Sequence, residues 1–199
     1  MKPEIRERIL SQFKQQSGYA RTGDILDLGI HNIYLKELEQ EGTLIKLKRG
    51  LYCLQNLESQ STMVEALITI PDGVICLGTA LSYYDLTTWD PPEIHVAIPH
   101  GRKVKQPEYP PVKLYYFTGI FYSTGIIETT ESDQHIRIYD LEKCICDLVR
   151  FRNRIGIDIL KEALGEYLKR RDKDLNKLNS YAKTLKISSV LGQYLEVLI

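Results

Sequence analysis

Three short clusters of side chains between residues 21 and 49 have the chemistry to grip a polyanion. They are Arg21 and Thr22; His31, Asn32, Tyr34 and Lys36; and Lys46, Lys48 and Arg49. A carboxamide such as that of Asn32 reads adenine through two hydrogen bonds, and the edge of Ile33 or Tyr34 suits a thymine methyl. Lysines and arginines act on phosphates, which position a protein on a duplex without reading its sequence. His31 has a second reading, as a residue that stabilises the start of a helix. The cations from Lys46 to Arg49 have one too, as an ordinary solvated turn.

Catalytic residue types are present, but their spacing supports no reaction. The chain has no GxxxxGK[ST] or GxGxxG loop to cradle phosphate, and no GxSxG or HExxH motif. His31, His95, His100 and His135 are scattered. Cys144 and Cys146 stand two apart on an expected helix, where they point to different faces, so they read as buried thiols rather than metal ligands. Asp90 and Glu93 lie ahead of an expected strand as acids do in metal-dependent nucleases, yet His95 stands where the required lysine would be. No enzyme, cofactor or metal site is expected.

The elements that must position the basic clusters follow from the pattern of apolar residues. Pro3 suits a first helical turn, and Ile5, Ile9, Leu10 and Phe13 recur on one face up to Gly18. Thr22 is a candidate N-cap, with Asp24 in the first turn of a short helix that Leu28-Gly29 breaks. A second helix is expected from His31 to Glu41, stopped by Gly42. Helix, glycine turn and helix make a helix-turn-helix. The apolar runs 44–47 and 51–54 flank Lys48-Arg49-Gly50 and predict a β-hairpin, which is a wing in this position. The polar stretch from Asn56 to Thr62 reads as a linker.

Beyond it, the pattern predicts a helix from Met63 to Ile70 and another from about Cys76 to Leu86. Strands are expected at Ile94–Ile98, around Leu114–Thr118, at Ile126–Thr129 and at Ile136–Ile138, with a proline-rich loop before Leu114. Four amphipathic helices are expected from Asp140 onward, with Asp172 near the start of the third.

The charges total 26 basic and 26 acidic residues, but they are unevenly spread. Residues 1–57 hold nine bases against seven acids, residues 58–149 six against thirteen, and residues 150–186 eleven against five. A neutral total therefore leaves local positive potential. Lys143, Arg150, Arg154, Lys161, Arg170, Lys173 and Lys177 form a candidate second basic surface, with solvated helix faces as its ordinary reading. No apolar run is long enough for a membrane span, and the first residues lack the apolar core of a secretory signal. A cytoplasmic chain with reduced thiols is expected.

Three segments, Gly18–Thr22, Gly29–Leu38 and Gly42–Tyr52, resemble the AbiEi-type antitoxin family. Its members are repressor-antitoxins of bacterial abortive-infection operons. The Lys48-Arg49-Gly50-Leu51-Tyr52 wing is the most specific mark. The segments Thr79–Thr87, Glu93–Pro99 and Ile138–Lys143, with Asp147, look like the family's second domain. The resemblance implies an α+β chain. A winged helix-turn-helix over residues 1–57 precedes a mixed α/β antitoxin domain over residues 58–199 that ends in helices. It further implies repression through inverted repeats in the chain's own promoter. The implied toxin is nucleotidyltransferase-like and is neutralised without a stable complex. The alternative is a winged-helix module that docks on a protein or RNA partner and has no transcriptional role.

Overall fold

Pro3 opens α1 (Pro3–Gln15), where its missing N–H would lack a helical partner in any case, and Ile9 and Phe13 turn inward from that helix. The computed structural model describes residues 1–16, 18–55, 61–107, 109–132 and 134–198. It is mixed α/β. The chain divides into one unit of Met1–Ser61 with Gln106–Pro110, and another of Thr62–Lys105 with Pro111–Ile199. Each has its own apolar core. Residues 56–60 of the expected linker lie outside the described residues.

In the first unit, α1 leads into β1 (Tyr19–Arg21), α2 (Thr22–Asp27), α3 (Ile33–Gln40), β2 (Leu44–Lys48) and β3 (Leu51–Leu54). The strands form an antiparallel sheet in the order β1-β3-β2. Ile9, Phe13, Ile25, Leu35, Leu38 and Leu44 are buried together beneath it. Glycine ends both inner helices. Gly29 (φ +73°) donates to Leu26 O at 2.8 Å, and Ile30 to Ile25 O at 3.2 Å. Gly42 (φ +72°) donates to Glu39 O at 3.0 Å, and Thr43 to Leu38 O at 2.8 Å. These paired bonds form the Schellman motif, whose left-handed residue is glycine because a side chain there is strained.

Thr22 does not cap α2 as expected. Pairing of β1 with β3 holds Arg21 extended, so Arg21 is the cap residue and Thr22 is already helical. The Arg21 backbone N–H donates to Asp24 Oδ2 at 2.7 Å. The second helix is also shorter than expected. It begins at Ile33, after a tight turn in which Tyr34 and Leu35 donate to His31 O and Asn32 O.

The second unit runs α4 (Thr62–Thr69), β4 (Val74–Ile75), α5 (Leu77–Tyr83), β5 (Ile94–Pro99), β6 (Val112–Phe117), α6 (Gly119–Ser123), β7 (Ile126–Glu131) and β8 (Gln134–Tyr139). It ends in α7 (Leu141–Ile155), α8 (Ile157–Lys169), α9 (Leu175–Thr184) and α10 (Ser188–Leu198). The sheet order is β6-β5-β4-β8-β7. β5–β6 and β4–β8 are parallel, and the other two pairs are antiparallel. The two-residue strand β4 is thus central, and β6 is an outer strand.

Helix α7 departs from the amphipathic pattern read from the sequence. Leu141 through Val149 are all buried, including Glu142, Lys143 and Asp147. Asp140 caps the helix by accepting the Lys143 N–H at 2.9 Å. Such a helix tolerates charges only where they are paired and hydrogen-bonded, and here they are. Lys143 Nζ donates to Asp147 and lies 3.9 Å from the centre of the Tyr139 ring. Glu142 accepts from Tyr167 and from the Asp174 N–H, both at 3.2 Å. Lys177 bridges Asp140 and Glu142 at 3.1 and 3.0 Å, and Tyr181 donates to Asp140 at 3.0 Å. The start of α7 is thereby wired to α8 and α9. No helix of the described residues is long and apolar enough to cross a membrane.

Candidate nucleic-acid interface

The basic residues of the first unit fall into two clusters. The first is built around Leu51. That residue pairs with Arg21 of β1 on one side and Lys48 of β2 on the other, so three neighbouring strands place two cations in one row across the sheet. Arg49 and Gly50 form the hairpin turn, with Gly50 at φ +78°. The Thr22 N–H donates to Gly50 O at 2.9 Å, which fastens the turn to the start of α2. Burial, followed by the charge of Arg21, pulls the Lys48 amine below its ordinary value. Lys46 and Arg49 are exposed, and Lys48 and Thr22 are half-buried.

The second cluster is the start of α3. His31, Asn32, Ile33 and Lys36 are exposed, and Leu35 and Leu38 anchor the opposite face in the core. Tyr34 is half-buried and packs against that core. His31 Nδ1 accepts the Ile33 N–H at 3.2 Å, so His31 stabilises the helix start, the second of its two readings. Among the described residues, Arg21, Lys36, Lys46 and Arg49 make no ion pair. Arg6 and Arg8 are engaged elsewhere, Arg6 with Glu41 and Thr43 and Arg8 with Leu28 O.

Residues 7–55 match the AbiEi antitoxin family of transcriptional regulators. The matched segment takes in most of α1 and everything through β3, and therefore both cationic clusters. No curated protein sequence matches the chain. Among solved structures, the chain is similar to the crystal structure of RV2827C protein from Mycobacterium tuberculosis. The TM-score is 0.54 and the identity 10%, over 98% of this chain and 82% of that one. At that identity the likeness is one of fold.

Outside the AbiEi match, the candidate second basic surface does not survive as a surface. Lys143 is fully buried, a correction forced by its pairing with Asp147 and the cover of Gly125, where any Cβ would stand 2.6 Å from Lys143 Cβ. Arg150 is bound to Asp147 at 3.3 Å and lies 4.0 Å from the centre of the Phe121 ring. Arg170 holds Asp172 and Tyr84 O, each at 2.8 Å, and Lys173 donates to Arg170 O at 3.0 Å. Lys177 is tied to Asp140 and Glu142. Only Arg154 and Lys161 of the seven are both exposed and without an ion pair among the described residues.

Sequence reasoning missed β1, and with it the row that Arg21 and Lys48 make. Three residues carry no period, and the only available signal was the extended Tyr19-Ala20 pair before the helix. His95 is also taken up by structure. It is buried, accepts the Gly78 N–H at 3.2 Å and donates its own N–H to Thr79 at 2.9 Å. Cys53, Cys76, Cys144 and Cys146 are all buried.

Proposed function

We propose that the first unit binds double-stranded DNA as a winged helix-turn-helix and represses transcription from inverted repeats in its own promoter. The start of α3 enters the major groove, which accepts one helix. Asn32, Tyr34 and Lys36 reach the base edges. Arg21, Thr22, Lys46, Lys48 and Arg49 hold phosphates beside it. The observation that carries this reading is the row of Arg21 and Lys48 across Leu51, which concentrates positive charge next to the turn that exposes Arg49. The family match supports an antitoxin-type regulator. We extend it to a chain that counteracts a nucleotidyltransferase-like toxin without forming a stable complex, the second unit carrying that activity.

The test is a gel shift with DNA from upstream of the chain's own operon. Lys48→Ala with Arg49→Ala should weaken binding to operator and random DNA alike. Asn32→Ala should cost about 1–3 kcal/mol on operator only. Equal losses on both DNAs would remove Asn32 from base reading, and an unchanged affinity in the double variant would remove the wing. Exposed Leu26, Ile33 and Ile45 favour the second reading, a module that docks on a protein. A chain that shifts no operator but is retained by a partner protein would select it.

A further inference from the structure

We propose that the second unit carries a nucleotide-binding pocket at the outer edge of β6, where Lys113 and Arg154 face an aromatic wall of Tyr115 and Phe151, with Tyr116 next along the strand.

These residues line a cavity of about 500 Å³, within the roughly 300–1,000 Å³ of ordinary small-molecule sites. Lys113 and Arg154 are exposed and have no ion pair among the described residues. Arg154 also lies 5.8 Å from the centre of the Phe151 ring. That ring is braced from behind, because Phe117 stacks on it at 5.6 Å and Tyr115 meets it edge-on at 5.5 Å. The wall is therefore rigid. The positive field is felt inside the protein too. His95, 5.0 Å from Tyr115, is pushed down to about 4, first by burial and then by the charge of Lys113. Burial foremost, aided by nearby Glu93, raises the Tyr115 phenol to about 12, so its hydroxyl stays a donor.

The strand edge supplies the remaining groups. Ile94 donates to Pro111 O and His100 to Phe117 O, so the odd-numbered peptides of β6 face β5. In a parallel ladder this turns the backbone N–H and C=O of Leu114 and Tyr116 away from the sheet. Two cations suit a phosphate, aromatic faces suit a base, and an outward backbone edge suits its polar rim. A bare anion uses only the first of these features, and an apolar ligand leaves the cations unmatched. The nucleotide unit is either free or part of a single strand, and the test separates the two.

The full-length chain is titrated with adenosine monophosphate, with inorganic phosphate and with a short single-stranded RNA, followed by calorimetry. Saturable binding of the mononucleotide is expected, about tenfold or more tighter than phosphate. Lys113→Ala with Arg154→Ala should weaken it about tenfold. These residues are exposed, and unchanged melting curves check that the variants fold. Lys48→Ala with Arg49→Ala should leave mononucleotide binding intact, which separates this pocket from the proposed DNA-binding surface. If the RNA binds more tightly than the mononucleotide and loses the same factor in the pocket variants, the site serves single strands. If it does not, the site serves free nucleotides. No saturable binding of either nucleotide ligand overturns the proposal, as does binding that folded pocket variants retain in full.

Discussion

Lys143 is the residue whose environment most changes its meaning. In the sequence it is one more base on a helix; in the fold it is sealed against Tyr139, Phe117 and Gly125 with Asp147 as its ion partner. Lys143→Ala should cost about 3–5 kcal/mol, because it leaves a buried carboxylate with only Arg150 beside it. Converting both partners, Lys143→Met with Asp147→Leu, should recover most of that loss. Urea unfolding measures both, and a single-variant loss below about 1 kcal/mol would show the pair to be no more than a surface bridge. His95 gives a second residue-scale expectation. Folded, it stays neutral down to about 4; unfolded, it takes a proton near 6.5. The unfolded chain binds more protons between those values, so this contribution is complete above pH 6.5 and is lost as the pH falls toward 4. Its size is at most about 3 kcal/mol. Wild type should therefore lose more stability than His95→Gln across that window, and parallel stability curves for the two would refute the assignment.

At the level of elements, the wing makes its own forecast. Each phosphate contact contributes about 0.9 to the slope of log affinity against log salt. Lys46→Ala with Arg49→Ala should flatten that slope by roughly 2, read from operator binding at a series of salt concentrations. A slope equal to wild type would mean that neither side chain meets phosphate. The hairpin was legible because Leu44 and Leu47 give way to Lys48-Arg49-Gly50 and then Leu51, and glycine at a left-handed position is a local requirement that composition reports. The ends of α2 and α3 were legible for the same reason, at Gly29 and Gly42. Strands β1 and β4 were not. Two or three residues have no periodicity, and their pairing is decided by partners far along the chain, such as Val96 and Ile138 for Ile75. The face of α7 was misread because Lys143 is neutralised by Asp147 in a buried pair, and the acids at its start, Asp140 and Glu142, are held by Lys177, Tyr167 and Tyr181, which the helix's own sequence does not reveal.

For the molecule as a whole, the separate apolar cores matter most. The one around Ile9, Phe13 and Leu35 is small, and the one spanning the five-stranded sheet and helices α7 to α10 is much larger. Stability rises with the surface a domain can bury, so small units are marginal. Scanning calorimetry should show two transitions, with the first unit melting at the lower temperature. One transition with matching calorimetric and van't Hoff enthalpies would mean that the cores unfold together. If the small core does fail first, and the first unit binds operator DNA as we propose, warming alone would silence that binding while the larger unit stays intact. The promoter would then respond to heat shock directly, with no signalling molecule and no proteolysis in between.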